Sequence, residues 1–187
     1  NGTNINFKSF EDYIKLYTTD VFYETKKDKT WSIGIGLSEN GFQQVSFANS
    51  TDTYDGGTHV DYILNQILSQ LREFFQKKHK VDVKPSELKN HIFLFLNATV
   101  VNPSFGSQTK EKLITEVKDF GFTYEVTDKL IKSILKSEIV NSILDWIEQK
   151  KNAEEKLNQL NAGLAALVNE RTKELENKNE SLKHFTS

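Results

Sequence analysis

A chain of 187 residues, 37% hydrophobic and 27% charged, has room for one domain of ordinary size with a substantial core, plus an appendage. Having no Cys excludes a disulfide framework, a thiolate zinc site and a Cys nucleophile and suits an intracellular protein, while a net charge of -2 and a pI near 6.1 exclude a globally basic nucleic-acid binder and leave only a local basic patch. No apolar run approaches the roughly 20 residues of a membrane span, no signal-peptide layout opens the chain, and its start at Asn leads us to expect a piece of something longer.

Phe7, Phe10, Tyr13, Ile14 and Tyr17 have the spacing of an amphipathic helix over residues 6–17, with Ser9 or Asn6 as cap. Residues 21–24 and 30–37 read as strands, the second alternating Trp31, Ile33, Ile35 and Leu37 on one face. Glu39-Asn40-Gly41 is then a turn and residues 43–48 a return strand, so that a hairpin or meander is expected. A polar segment, 49–59, ends in Gly56-Gly57-Thr58, and there the apolar period changes. Val60, Ile63, Leu64, Ile67, Leu68, Leu71, Phe74 and Phe75 line one face of a helix running to about Lys77, with Thr58 as its N-cap.

Lys77-Lys78-His79-Lys80 follow, where cations suit the negative end of the helix dipole. Residues 81–89 form a short connection with one helical turn around Pro85. Residues 92–101 (IFLFLNATVV) are apolar at nearly every position, the mark of a central strand buried on both faces. Residues 110–115 read as an edge strand or turn, 121–124 as extended, and Thr127 as the cap of a helix over 128–135. From Ser137 helical periodicity runs to the C-terminus.

The chemistry gathers at a loop, Asn102-Pro103-Ser104-Phe105-Gly106-Ser107-Gln108-Thr109-Lys110. A Lys at a loop tip with an amide two residues earlier suits a phosphate, offering one charge and donors that orient it; the plainer alternative is a surface Lys in a solvated loop. His59 has no Cys, His or paired carboxylate at ligand spacing, so no metal site is expected. Asp55 and Asp61 read as acids at a helix start, and Trp31 and Trp146 as packing residues. In the last forty residues Leu157, Asn161, Leu164, Val168, Arg171, Leu175, Lys178, Leu182 and Phe185 repeat with three-four spacing, the seam of a two-stranded parallel coiled coil.

Six stretches, in order over residues 7–150, resemble the transducer domain of type II (type IIA) DNA topoisomerases, the eukaryotic enzyme especially. They are GFQQVSFANS at 41–50, DGGTHVDY at 55–62, VKP through KNHI at 83–92, NP through SQTKE at 102–111, DFG at 119–121 and IVNSILDW at 139–146. The resemblance implies an α+β fold: a left-handed βαβ-type transducer domain with a mixed sheet packed by helices, followed by a long C-terminal helix in a coiled coil. It implies a domain at 1–150, a coiled-coil segment at 151–187, and partners absent from this chain: a GHKL-type ATPase domain, a DNA-cleaving core, and DNA.

By resemblance Lys110 is the catalytic sensor of the ATP γ-phosphate, Gln108 binds beside it, and Lys77, Lys78 and Lys80 meet DNA. ATP with magnesium belongs to the full-length enzyme; none is expected on this fragment, nor is activity by itself, nor any membrane. The location implied is nuclear if the source is eukaryotic, and otherwise intracellular. Beyond about Lys150 the tail, from Asn169-Glu170-Arg171-Thr172 to Phe185, instead resembles the signalling helix of sensor histidine kinases. Two readings follow: a foreign coiled coil fused to the transducer and holding a homodimer together, or a signalling module whose α+β domain feeds a parallel coiled coil into a histidine kinase.

Overall fold

The computed structural model describes residues 8–185, and the chain divides into two units between Ile143 and Leu144. The first unit is α+β. Its first helix, α1 (Phe10–Ile14), is shorter than the apolar spacing suggests and is capped by the Ser9 hydroxyl, which accepts from the Asp12 N–H at 3.1 Å. Asn6, the alternative cap, lies outside the described residues.

Strands β1 (Val21–Thr25) and β2 (Trp31–Leu37) form an antiparallel hairpin. Strand β3 (Gln43–Ala48) does not extend it: of the expected hairpin or meander, the β1–β2 hairpin forms and the return of β3 onto β2 does not. The sheet order is β1-β2-β5-β3-β4, with β4 (Thr51–Asp52) at one edge and β5 (Ile92–Ala98) in the centre. β5 pairs antiparallel with β2 and parallel with β3. The reason lies in β5 itself: Ile92, Leu94, Phe95, Leu96 and Ala98 are buried, and a strand apolar on both faces is most stable between two neighbours.

The register sorts the faces. Trp31, Ile33, Ile35 and Leu37 lie opposite Ala98, Leu96, Leu94 and Ile92, and this face packs under α2 (Thr58–Phe74), which contributes Val60, Ile63, Leu64, Ile67, Leu68 and Leu71. On the other face Phe10, Tyr13 and Tyr17 meet Phe47, Phe93 and Phe95 at ring-centroid distances of 5.6 to 6.3 Å.

α2 links the parallel pair β3 and β5, completing a βαβ crossover, with α3 (Pro85–Lys89) on the return. Beyond β5 the chain passes the lysine loop and crosses back over the sheet, where the Trp31 indole N–H donates to the Phe122 carbonyl at 3.1 Å and the Gln66 amide brackets Tyr124 and Val126. This places residues 121–124 outside any strand. α4 (Asp128–Ile134) is capped by Thr127, whose hydroxyl accepts from the Leu130 N–H at 3.2 Å. α5 (Glu138–Phe185) begins in the first unit, burying Ile139, Val140 and Ile143.

The second unit is the rest of α5. Its large apolar side chains Leu157, Leu160, Leu164, Leu167, Val168 and Leu175 are all exposed. Leu160 and Leu167 flank the seam read from the sequence, so the apolar stripe is wider than two positions per seven. No helix of the described residues is long and apolar enough to cross a membrane.

Candidate functional site

The lysine loop is a hairpin, not a strand and free turn. Phe105 pairs with Leu113 across it; the Ile114 N–H donates to the Ser104 carbonyl at 2.9 Å and the Gly106 N–H to the Lys112 carbonyl at 3.0 Å. Its base is fixed by the Ser104 N–H donating to the Thr115 hydroxyl at 2.8 Å. At the tip the Lys110 N–H donates to the Ser107 carbonyl at 3.1 Å, and the Ser107 and Thr109 hydroxyls lie 2.7 Å apart. Lys110 adopts the left-handed conformation, φ 60°, a conformation that the turn imposes on a residue with a Cβ.

Gln108 and Lys110 are exposed at this tip. The Lys110 ammonium lies 5.8 Å from the Phe105 ring centroid, and among the described residues it has no carboxylate within ion-pair distance. The neighbouring carboxylate is engaged elsewhere. The Tyr54 hydroxyl, and after it the Thr109 hydroxyl, holds Glu111 below the usual carboxylate range, and Glu111 in turn pushes the Tyr54 phenol up to about 12. The tip therefore offers an uncompensated cation with hydroxyl and amide donors around it. That chemistry receives an anion.

The return limb of the hairpin is bound to the start of α2. The Asp55 N–H donates to the Glu111 carbonyl at 3.0 Å, the Leu113 N–H to the Gly56 carbonyl at 3.1 Å, and the Thr58 N–H to the Leu113 carbonyl at 3.0 Å. Gly57 permits this approach: at φ 134°, a Cβ there would sit 2.2 Å from the Leu113 carbonyl oxygen. The N-cap of α2 is therefore Gly57 and not Thr58, whose buried hydroxyl oxygen has no hydrogen-bond partner. The Gly pair announces a turn in the sequence, but nothing in the sequence names Leu113 as its partner, fifty-odd positions away.

His59, one residue into α2, is fully buried and sits 3.1 Å from the Thr53 hydroxyl, which is 2.6 Å from that of Ser46. Burial alone lowers its pKa to about 4, so the imidazole is neutral. It is a packing residue. Among the described residues no group of three His, Cys, Asp or Glu side chains could hold a metal ion.

At the far end of α2 the helix widens into a π turn, Phe75–His79, which ends at Lys80 in the left-handed conformation with φ 60°. The His79 ring lies 5.5 and 5.6 Å from the rings of Phe74 and Phe75. The three lysines have different surroundings. Lys77 pairs with Glu73, and Lys78 lies 5.0 Å from the Phe74 ring centroid. Lys80 has no ion-pair partner among the described residues. All three are exposed, and the structure places them at the opposite end of α2 from Lys110.

Comparison with known proteins matches this arrangement to one family. The DNA gyrase B family matches residues 9–162. DNA topoisomerase 2-alpha of Sus scrofa is 39% identical over 184 residues, covering 92% of this chain and 12% of that protein. The enzyme of the same name from Gallus gallus is 42% identical over 161 residues, covering 80% of the chain and 10% of its own length. The ATPase and transducer domains of DNA topoisomerase II from Balamuthia mandrillaris superpose with a TM-score of 0.72 at 37% identity, covering 76% of this chain and 37% of that one. The ATPase region of Saccharomyces cerevisiae topoisomerase II gives 0.67 at 38% identity, over 73% and 36%. The chain thus spans about an eighth of the length of the topoisomerases it matches, and with the family matched over most of its length, it belongs to the DNA gyrase B family, that of the type II topoisomerase ATPase region.

Proposed function

We propose that this chain is the transducer part of an ATP-dependent type II DNA topoisomerase, relaying the state of an adjacent GHKL ATPase domain to the DNA gate. The observation that carries the reading is the Lys110 cation, without an ion-pair partner among the described residues, at the tip of a hydrogen-bonded hairpin. Lys110 contacts the terminal phosphate of a nucleotide held by the adjacent domain, and Gln108 orients it by hydrogen bonding. A positive charge fixed there stabilises negative charge developing on the transferred phosphoryl group, and its contact is lost once that phosphate leaves. The described residues fit this one contact and not a whole nucleotide site; ATP supplies the phosphoryl group, and the magnesium ligands lie with the ATPase domain.

In the same reading Lys77, Lys78 and Lys80 meet the DNA backbone, the β3–α2–β5 crossover is left-handed, and the exposed stripe of α5 forms a parallel coiled coil between two copies. Residues 1–150 form the transducer and 151–187 the dimerising helix. The location proposed is the nucleus for a eukaryotic source and otherwise intracellular. The competing signalling reading draws on the same stripe but leaves Lys110 without a role.

Lys110→Ala in the full-length enzyme is expected to lower ATP turnover at least tenfold with nucleotide affinity nearly unchanged, measured by steady-state hydrolysis and equilibrium binding. Unchanged turnover would remove Lys110 from the reaction and with it this reading of the loop.

A further inference from the structure

We infer that the backbone N–H of Thr58, together with Gly57, is a positioning element for Lys110, and that it acts by clipping the return limb of the lysine hairpin to the first turn of α2. The inference rests on the phosphate-sensing reading of Lys110 and adds to it what holds the lysine in place.

The Lys110 tip is held by its own turn, by the Thr109 and Ser107 hydroxyls, by the Phe105 ring and, one residue on, by Glu111, which the Tyr54 and Thr109 hydroxyls engage. The rest of its orientation comes from the base of the hairpin. There the limb 111–113 is joined to 55–58 by three backbone bonds of 3.0 to 3.1 Å, an isolated parallel bridge between Gly57 and Leu113. Leu113 is thereby paired on both edges, with Gly57 on one and Phe105 on the other. Leu113 is fully buried and α2 carries seven buried residues, so the clip ties an exposed loop to a helix anchored in the core.

Gly57 makes the clip sterically attainable, since any Cβ would strike the Leu113 carbonyl, nitrogen and carbonyl carbon at 2.2, 2.6 and 2.9 Å. Thr58 supplies the hydrogen bond through its main chain alone. Its side-chain oxygen is buried with no hydrogen-bond partner, so the residue's hydroxyl has no share in the contact.

Thr58 is the first helical residue of α2, and that position allows a specific test. Proline is well accommodated at the first position of a helix, where its N–H has no partner inside the helix. Thr58→Pro therefore removes the bond to Leu113 and leaves α2 intact; Thr58→Ala keeps the N–H and serves as the control. In the 187-residue chain, amide hydrogen exchange of Thr58→Pro is expected to quicken at least tenfold for Gly106, Lys110 and Ile114, with the α2 amides from Ile63 to Leu71 unchanged. Thr58→Ala should exchange like the parent.

In the full-length enzyme Thr58→Pro is expected to lower kcat for ATP toward the Lys110→Ala level with KM unchanged. The double variant should be no slower than Lys110→Ala alone. If loop exchange is unchanged in Thr58→Pro, the clip does not hold the loop and the inference is overturned. If exchange quickens but kcat stays at the parent value while Lys110→Ala is slow, the clip holds the loop without positioning Lys110, which also overturns it. If Lys110→Ala itself turns over normally, the sensor reading has failed, an outcome distinct from both. General loss of fold would show as exchange across the α2 core, and Gly57→Ala, which forces the limb off without altering any N–H, then gives the independent comparison.

Discussion

His59 shows how burial turns a reactive side chain into a structural one. Its ring is fully buried beside the hydroxyls of Thr53 and Ser46, neither of which titrates, so nothing compensates a positive charge. Desolvation lowers its pKa to about 4 from the ordinary imidazole value of about 6.5. The unfolded chain therefore binds one more proton than the folded one between those values, and stability falls as pH is lowered from about 6.5 toward 4, by on the order of 2–3 kcal/mol from this group. Carboxylates held low, such as Asp82 beside Arg72, lose their contribution only at lower pH. Urea unfolding of the parent and of His59→Gln across this range measures the effect. The gap in midpoint between them should shrink on acidification; a constant gap would mean that the imidazole protonates equally in both states. The sequence shows that His59 lacks partners for a metal, but its hydroxyl neighbours on β3 and the following segment come from pairing that no local pattern reveals.

At the scale of the element, α2 is the rigid piece. Seventeen residues at 1.5 Å each make a rod of about 25 Å. One end is clipped to the lysine hairpin, and the other opens into the π turn that carries Lys77, Lys78 and Lys80. The apolar spacing of 60–75 predicts its buried face residue by residue. It does not predict the π turn, where the His79 ring lies beside those of Phe74 and Phe75, because those ring contacts exist only once the helix end has folded. The turn also ranks the lysines. Lys77 is engaged by Glu73 and Lys78 by an aromatic face, whereas Lys80 is uncompensated. Replacing all three by Gln in the full-length enzyme is expected to flatten the slope of log affinity for duplex DNA against log salt by up to about 2.7, with no change in sequence preference. Among single variants Lys80→Gln should weaken binding most. Equal slopes for parent and triple variant would take this turn off the DNA path.

For the whole molecule, the proposed dimer rests on the stripe of exposed leucines on α5. Among the described residues six large apolar side chains lie in solvent along the second unit, and Gly163 among them lowers the stability of an isolated helix by about 1 kcal/mol relative to Ala. A lone helix of this composition is marginal in water; burying the stripe against a second copy stabilises it. The molar mass in solution of residues 1–187 is expected to be that of a dimer, and that of a chain ending at Lys151 that of a monomer. Two monomers would show that the stripe does not pair with itself.

Sequence by itself determined the elements whose physics is local: the period of α2, the cap Thr127, the doubly apolar β5 and the Gly turn at 56–57; for the first helix it left Ser9 and Asn6 as alternative caps. Six ordered motifs carried the family before any coordinates. Only the tertiary structure decided which strands are neighbours, because β5 inserts between β2 and β3 from more than forty residues downstream, and pairing across such a separation leaves no periodicity. It alone moved the N-cap from Thr58 to Gly57 and joined Leu113 to that cap, since a glycine's value there is the absence of a Cβ in a space that a distant carbonyl fills.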